Sequence, residues 1–76
     1  MSEEIFEIDA IGLLCPLPVL RLRKRMQPLA IGTRIRLLAD DPAAIVDVPH
    51  FCNENGHELA AQSEANGVLT FEVIKR

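Results

Sequence analysis

Cys15 and the prolines beside it are the residues whose types and spacing most strongly suggest chemistry, in the segment Gly12-Leu13-Leu14-Cys15-Pro16-Leu17-Pro18. Proline is well tolerated in the first turn of a helix, so the pattern predicts a helix that begins at Pro16 with Cys15 as its N-cap. A helix N-terminus favours negative charge, and a cysteine there can have a pKa well below the ordinary value of about 8.5. The sequence therefore predicts an exposed, nucleophilic thiolate at Cys15. The alternative is a small buried hydrophobic residue, the common role of a free cysteine.

Cys52 is interpreted differently, because it follows Phe51 on the apolar stripe of a second predicted helix. We expect an inert thiol in the core. Two cysteines do not make a disulfide scaffold, although a pair between Cys15 and Cys52 stays open without distances.

Metal and carboxylate sites are the other chemistry to consider. The residues of suitable type are His50, Cys52, His57, Asp40, Asp41 and Asp47. The histidines and the cysteine match no zinc spacing, so neither a metal nor another cofactor is predicted. Asp40 and Asp41 precede Pro42, which is typical of a helix start, and Asp47 is expected to face solvent. The glycines are isolated and form no phosphate-binding loop.

Hydrophobic periodicity predicts the element order βαβαββ. Strands are expected at 5–8, 33–40, 57–63 and 68–74, and helices from Pro16 to about Gln27 and from Asp40-Asp41-Pro42 to Asn55-Gly56. The first helix buries a stripe of Val19, Leu22, Met26 and Leu29.

Three local features add detail to this order. Pro49 should kink the second helix or divide it into two short pieces. Leu59 and Ala61 are expected to point inward from the third strand, and Asn66-Gly67 predicts a hairpin turn.

The predicted fold is an α/β (α+β) two-layer sandwich, with a four-stranded mixed sheet and both helices on one face. Right-handed crossovers place both helices on the same face when the strand order is 1-2-4-3, with the last strand antiparallel in the middle of the sheet.

Length and composition favour one globular domain over residues 1–76, since 49% of the chain is hydrophobic and no apolar run approaches a membrane span. The opening Met1-Ser2-Glu3-Glu4 does not resemble a signal peptide, so a cytoplasmic protein is expected.

Charge is segregated along the chain. Residues 21–36 hold six basic residues and no acidic one, whereas 37–74 hold seven acidic residues and no basic one. We call three of these residues, Arg21, Lys24 and Arg25, the basic patch. The patch is either a docking surface for an acidic partner or a basic helix face that only contacts solvent. Nucleic acid is a weaker candidate, because the net charge is −3 and there is no Tyr or Trp to stack on bases.

The chain resembles the TusA/SirA/YeeD sulfur-carrier family, and within it the TusA branch. The segments that carry the resemblance are 9–18 with its Cys-Pro-x-Pro box, Arg23-Lys24, Ala39-Asp40-Asp41-Pro42, Asp47-Val48-Pro49 and Phe51-Cys52. The resemblance implies the βαβαββ sandwich. It also implies that Cys15 accepts persulfide sulfur, with Gly12, Pro16 and Pro18 shaping its loop. Leu14 stands where a basic residue occurs in some members, which affects the choice of partner.

The same resemblance implies transient partners: a cysteine desulfurase as donor and downstream sulfur-relay proteins as acceptors. The expected use is tRNA 2-thiouridine formation, with molybdenum-cofactor synthesis and sulfur oxidation as alternatives. No general base is evident near Cys15 in the sequence, which favours a partner-dependent carrier over a self-sufficient enzyme. Nothing in the sequence suggests an obligate assembly, so a monomer is expected. Two other classes stay open: a small RNA- or protein-binding module, and a redox sensor in which Cys15 pairs with Cys52.

Overall fold

The computed structural model describes residues 4–76, and over this range the chain forms four strands and two helices in the predicted order. They are β1 (Ile5–Ala10), α1 (Leu17–Met26), β2 (Arg34–Ala39), α2 (Ala44–Asn55), β3 (Glu58–Ala65) and β4 (Val68–Ile74). Residues 1–3, on which the expectation about a signal peptide partly rests, lie outside the described residues.

The sheet has the strand order β1-β2-β4-β3, as predicted. β1 and β2 are parallel, and β4 lies antiparallel between β2 and β3. Each parallel connection contains one helix, and right-handed crossovers in this order bring both helices to the same face. The predicted two-layer arrangement is confirmed.

The core lies between that face and the helices. Alternate residues of the strands supply one side, namely Ile8, Ala10, Ile35, Leu37, Ala39, Leu69, Phe71 and Val73. The helices supply the other side with Leu22, Met26, Ala44, Val48, Phe51 and Cys52. No polar or charged side chain is buried anywhere in residues 4–76. Hydrophobic burial therefore holds the two layers together, and it does so without polar groups that need internal partners.

The opposite face of the sheet is covered by charged side chains. Glu72 at the centre of β4 accepts from Arg34 at 3.1 Å and from Arg36 at 3.3 Å on β2, and Arg36 lies 4.0 Å from Glu7 on β1. These cross-strand pairs explain the alternation that Arg34 and Arg36 show in the sequence, because one face of an antiparallel pair can remain in water.

β3 departs from the prediction at Ala61. A register shift between Leu59 and Ala61 inserts one residue, so that Ala61 lies opposite Glu72 on the charged face rather than pointing inward. The hairpin prediction is confirmed: Asn66 and Gly67 both have positive φ, at 53° and 81°, as a type I′ turn requires.

α2 runs without interruption through Pro49, so the predicted division into two pieces is wrong. The proline removes only the one hydrogen bond that its N–H would have donated to the carbonyl of Ile45. The helix ends as predicted, with Gly56 in the left-handed conformation at φ 73°. No helix within residues 4–76 is long and apolar enough to cross a membrane.

Candidate functional site

The candidate site forms where the parallel strands β1 and β2 both end. The carboxyl ends of parallel strands meet at one edge of a sheet, which is where α/β proteins commonly bind ligands. The chain leaving β1 forms the loop that contains Cys15, and the chain leaving β2 contains Asp40 and Asp41.

Asp40 and Asp41 fasten the Cys15 loop. The Oδ1 atom of Asp40 accepts a hydrogen bond from the Gly12 N–H at 2.9 Å, and Oδ2 of Asp41 accepts one from the Cys15 N–H at 2.7 Å. Asp41 Oδ1 also accepts from the Ala43 N–H at 3.1 Å, just before α2. These donors, first Cys15 and then Ala43, lower the pKa of Asp41. The prediction that both acids cap the second helix is incomplete, because each also accepts a hydrogen bond from the backbone of the loop after β1.

The start of α1 differs from the prediction. The Leu17 N–H donates to the Leu14 carbonyl at 2.8 Å, which makes Cys15 and Pro16 the middle of a turn. The helix begins at Leu17 with Pro16 as its N-cap, so the assignment of Cys15 as the N-cap is wrong. The peptide bond between Cys15 and Pro16 is cis. Because Leu17 is already bonded and Pro18 has no N–H, α1 offers the sulfur few donors.

The Cys15 thiol is exposed, as predicted, but it has an acidic neighbour. Its Sγ–H donates to Oδ2 of Asp47 on α2 at 2.8 Å. This hydrogen bond is the main cause that raises the pKa of Cys15, followed by partial desolvation and by the negative charges of Asp47 and Asp41. The predicted lowering of the Cys15 pKa is therefore wrong, and so is the assignment of Asp47 to solvent alone. The two residues are 32 positions apart, so no local sequence signal joins them.

Cys15 opens onto a groove between α1 and α2, with a volume of about 340 Å³. Its wall includes Arg23 from α1 and His50, Phe51 and Glu54 from α2. The Arg23 guanidinium lies 5.7 Å from the centre of the Phe51 ring, which fixes its position by a cation–π contact. Because Cys15 is exposed in this groove, a partner's side chains can approach the sulfur.

Cys52 lies in the core, as predicted, with 2% of its surface exposed. Burial raises its pKa to about 11. Both cysteines are free thiols in the structure. A redox sensor that pairs them would require Cys52 to leave the core, which nothing in the packing favours.

The basic patch flanks a second groove, of about 560 Å³, which also contains Leu13, Leu17 and Leu20. Arg21 is held by a hydrogen bond to the Asp9 carbonyl at 2.8 Å, and Arg25 lies 5.3 Å from the centre of the Phe6 ring. Lys24 is exposed.

The surface around this groove is therefore partly apolar and partly positive. Part of the charge also has a structural role, because cations in the last turn of α1 interact favourably with the helix dipole.

Metal ligands do not converge in the described part of the chain: residues 4–76 contain no group of three His, Cys, Asp or Glu side chains placed to hold an ion. His50 and His57 lie in different grooves, with His57 beside Lys75.

Comparison with known proteins places these features in a family. A family model described as "Sulfurtransferase TusA" matches residues 6–75, which include the whole of the Cys15 loop, all of β2 and all of β1 except Ile5. The chain belongs to the TusA family. Its relatives include the "Sulfur carrier protein TusA" of Pseudomonas putida F1, 41% identical over 69 residues, which cover 91% of this chain and 86% of the relative.

Two further matches agree with this membership of the TusA family. The "Sulfur carrier protein TusA" of Pseudomonas syringae pv. syringae is 37% identical over 70 residues, covering 92% of this chain and 83% of the relative. The crystal structure of a SirA-like protein from Desulfitobacterium hafniense superposes with a TM-score of 0.80 at 26% identity, and the match covers 93% of this chain and 96% of the other.

Proposed function

We propose that this TusA-family protein carries sulfur as a persulfide on Cys15. The observation that carries the proposal is the contrast between the two thiols: Cys15 stands exposed on a fastened turn, whereas Cys52 is sealed in the core. A carrier needs a sulfur atom that partners can reach and a backbone that holds it at a fixed point. The hydrogen bonds that Asp40 and Asp41 accept from the backbone of the Cys15 loop supply that support.

The transfer is a thiol exchange that needs no added oxidant or reductant. Cys15 Sγ attacks the terminal sulfur of a donor persulfide, and a new S–S bond forms as the donor's S–S bond breaks. The electron pair of the broken bond stays on the donor sulfur, which takes a proton and becomes a thiol. The sum is R–S–SH plus Cys15–SH giving R–SH plus Cys15–S–SH, and the same exchange run onward delivers the sulfur to an acceptor.

The proposed donor is a cysteine desulfurase, and the proposed acceptors are downstream sulfur-relay proteins met transiently in the cytoplasm by a monomeric carrier. The names of the relatives support a sulfur-carrier role. Within that role we favour delivery toward tRNA 2-thiouridine, with molybdenum-cofactor synthesis and sulfur oxidation as the alternatives.

Incubation with a cysteine desulfurase and cysteine tests the proposal directly. We expect the intact mass of the protein to rise by one sulfur atom and to return to its starting value after treatment with a thiol reductant. Several desulfurases should be tried, each shown to be active by its production of alanine. Absence of the adduct with all of them would refute the carrier function.

The basic patch is the proposed docking surface for the donor. We expect the combined change of Arg21, Lys24 and Arg25 to Glu to slow sulfur loading by roughly tenfold or more at low salt, because oppositely charged surfaces accelerate encounter. The difference should shrink at high salt, where these exposed charges are screened. The rate is measured by mass spectrometry of the loaded fraction in samples quenched at successive times.

A matched pair of single variants separates charge from structure, since Arg21 and Arg25 also make contacts within the fold. Lys24→Gln and Gln62→Glu each make the net charge more negative by one. Only the first changes the basic patch, because Gln62 lies on β3 and the patch lies on α1. Both side chains are exposed. Equal loading rates for the two variants and the wild type would remove the patch from the docking surface.

A further inference from the structure

Asp47 contacts the reacting atom itself. Its Oδ2 atom accepts the Sγ–H hydrogen bond of Cys15 at 2.8 Å, across the groove between α1 and α2. The other nearby acids act on the backbone: Asp41 binds the Cys15 N–H and Asp40 binds the Gly12 N–H. Asp47 is therefore the one acid among residues 4–76 that hydrogen-bonds the sulfur.

Loading with sulfur must change this contact, because it replaces the hydrogen on Sγ by a second sulfur atom. In Cys15–S–SH the Sγ atom has two covalent neighbours, carbon and sulfur, and no hydrogen to donate. Persulfides are also stronger acids than thiols, so the terminal sulfur is an anion near neutral pH. An anion beside the Asp47 carboxylate is repelled, since two like charges at short distance destabilise one another.

From this geometry we infer that Asp47 is a positioning residue that distinguishes the empty carrier from the loaded one. It binds the thiol hydrogen of empty Cys15 and holds the sulfur against α2. It repels the terminal sulfur of loaded Cys15 and turns that sulfur outward, toward an acceptor. The inference rests on the proposed persulfide function for its second half, whereas its first half concerns the thiol alone.

The proton balance is closed at each stage. The hydrogen on Cys15 Sγ leaves as the new S–S bond forms, and the departing donor thiolate takes up an equivalent proton. The terminal S–H of the persulfide then ionises to water, so no proton needs to remain on Asp47.

Other titratable and charged groups lie in the same groove. The titratable and charged groups that line it or bind the loop are Arg23 on α1, Asp41 before α2, and Asp47, His50 and Glu54 on α2. Asp47 and Asp41 disfavour the thiolate, as the raised pKa of Cys15 shows. Glu54 has the same charge and the same helix as Asp47 but no hydrogen bond to Cys15, which makes it a matched control.

The first test measures the rate of alkylation of empty Cys15 by iodoacetamide as a function of pH. We expect Asp47→Asn to be alkylated roughly three- to tenfold faster than the wild type near neutral pH, with its profile moved to lower pH, because the attacking species is the thiolate. Glu54→Gln should stay within about twofold of the wild type, as expected for a more distant exposed charge. Circular dichroism spectra of both variants are needed as the control for folding.

This experiment uses no desulfurase, so its failure is distinct from failure of the carrier function. A wild-type pH profile for Asp47→Asn, or an equal shift for Glu54→Gln, would overturn the role of Asp47 even if sulfur loading proceeds normally.

The second test follows the wild-type protein and requires no variant to fold. In carbon-13 NMR spectra, the carboxyl resonance of Asp47 should move on loading of Cys15 by more than that of Glu54, because only Asp47 loses a hydrogen-bond donor. An unchanged Asp47 resonance in protein shown by mass to be loaded would overturn the proposed switch of the contact.

Discussion

Cys15→Ser is expected to take up no sulfur from a desulfurase, whereas Cys52→Ala takes up one atom at close to the wild-type rate. A hydroxyl cannot form the S–S bond, and no other thiol is available at the surface, because Cys52 is buried with a pKa of about 11. Thiol exchange requires access to the sulfur, which Cys15 has and Cys52 lacks, and burial in addition disfavours the Cys52 thiolate. The expected effect is all-or-none.

Intact-mass measurement of both variants, under conditions that fully load the wild type, checks this prediction. Alanine suits position 52 better than serine, because serine would place a hydroxyl in an apolar core at a cost of about 1–3 kcal/mol. Loading of Cys15→Ser would show that another residue accepts the sulfur. Failure of a folded Cys52→Ala variant to load would bring Cys52 into the transfer and favour the paired-thiol alternative.

Phe71→Ala is expected to remove a large part of the folding stability. Phe71 lies at the centre of β4 with none of its surface exposed, between β2 and β3 and beneath the helices. Truncation of a buried phenylalanine costs about 3–5 kcal/mol. A domain of this size has a total stability of roughly 4–11 kcal/mol. We therefore expect the midpoint of urea unfolding to fall by about 2–4 M, measured by circular dichroism.

Ile31→Ala is the control for that loss, since it also deletes apolar atoms but from a side chain that is 75% exposed. Its effect should stay within about 0.5 kcal/mol. Similar losses for the two variants would contradict the placement of Phe71 at the centre of the core.

The elements that could be predicted from the sequence are those whose signals are local and repeated. β4 alternates over its whole length, the Leu22 and Met26 spacing marks the buried stripe of α1, and Asn66-Gly67 specifies its own turn. The strand order followed as well, because crossover handedness leaves few arrangements for this set of elements. The Cys-Pro-x-Pro segment also predicts that the Cys15 thiol is exposed, and the structure places it at the surface.

The features that were missed depend on contacts between distant parts of the chain. Pro16 fits a helix start and a turn equally well in sequence, and the bond from Leu17 to Leu14 selects the turn. The bulge that turns Ala61 outward has no glycine or other marker. The pKa of Cys15 is raised mainly by the hydrogen bond to Asp47, which lies on the helix that follows the second strand. The position of Cys15 near a helix N-terminus predicts a shift in the opposite direction.

The exposure of Cys15 in an open groove has a consequence for the proposed carrier function. The groove does not enclose the sulfur, so a persulfide formed there would meet water and dissolved oxidants in the free protein. Under the proposed function, protection of the persulfide therefore falls to each partner, which has to cover the groove while the two proteins are bound.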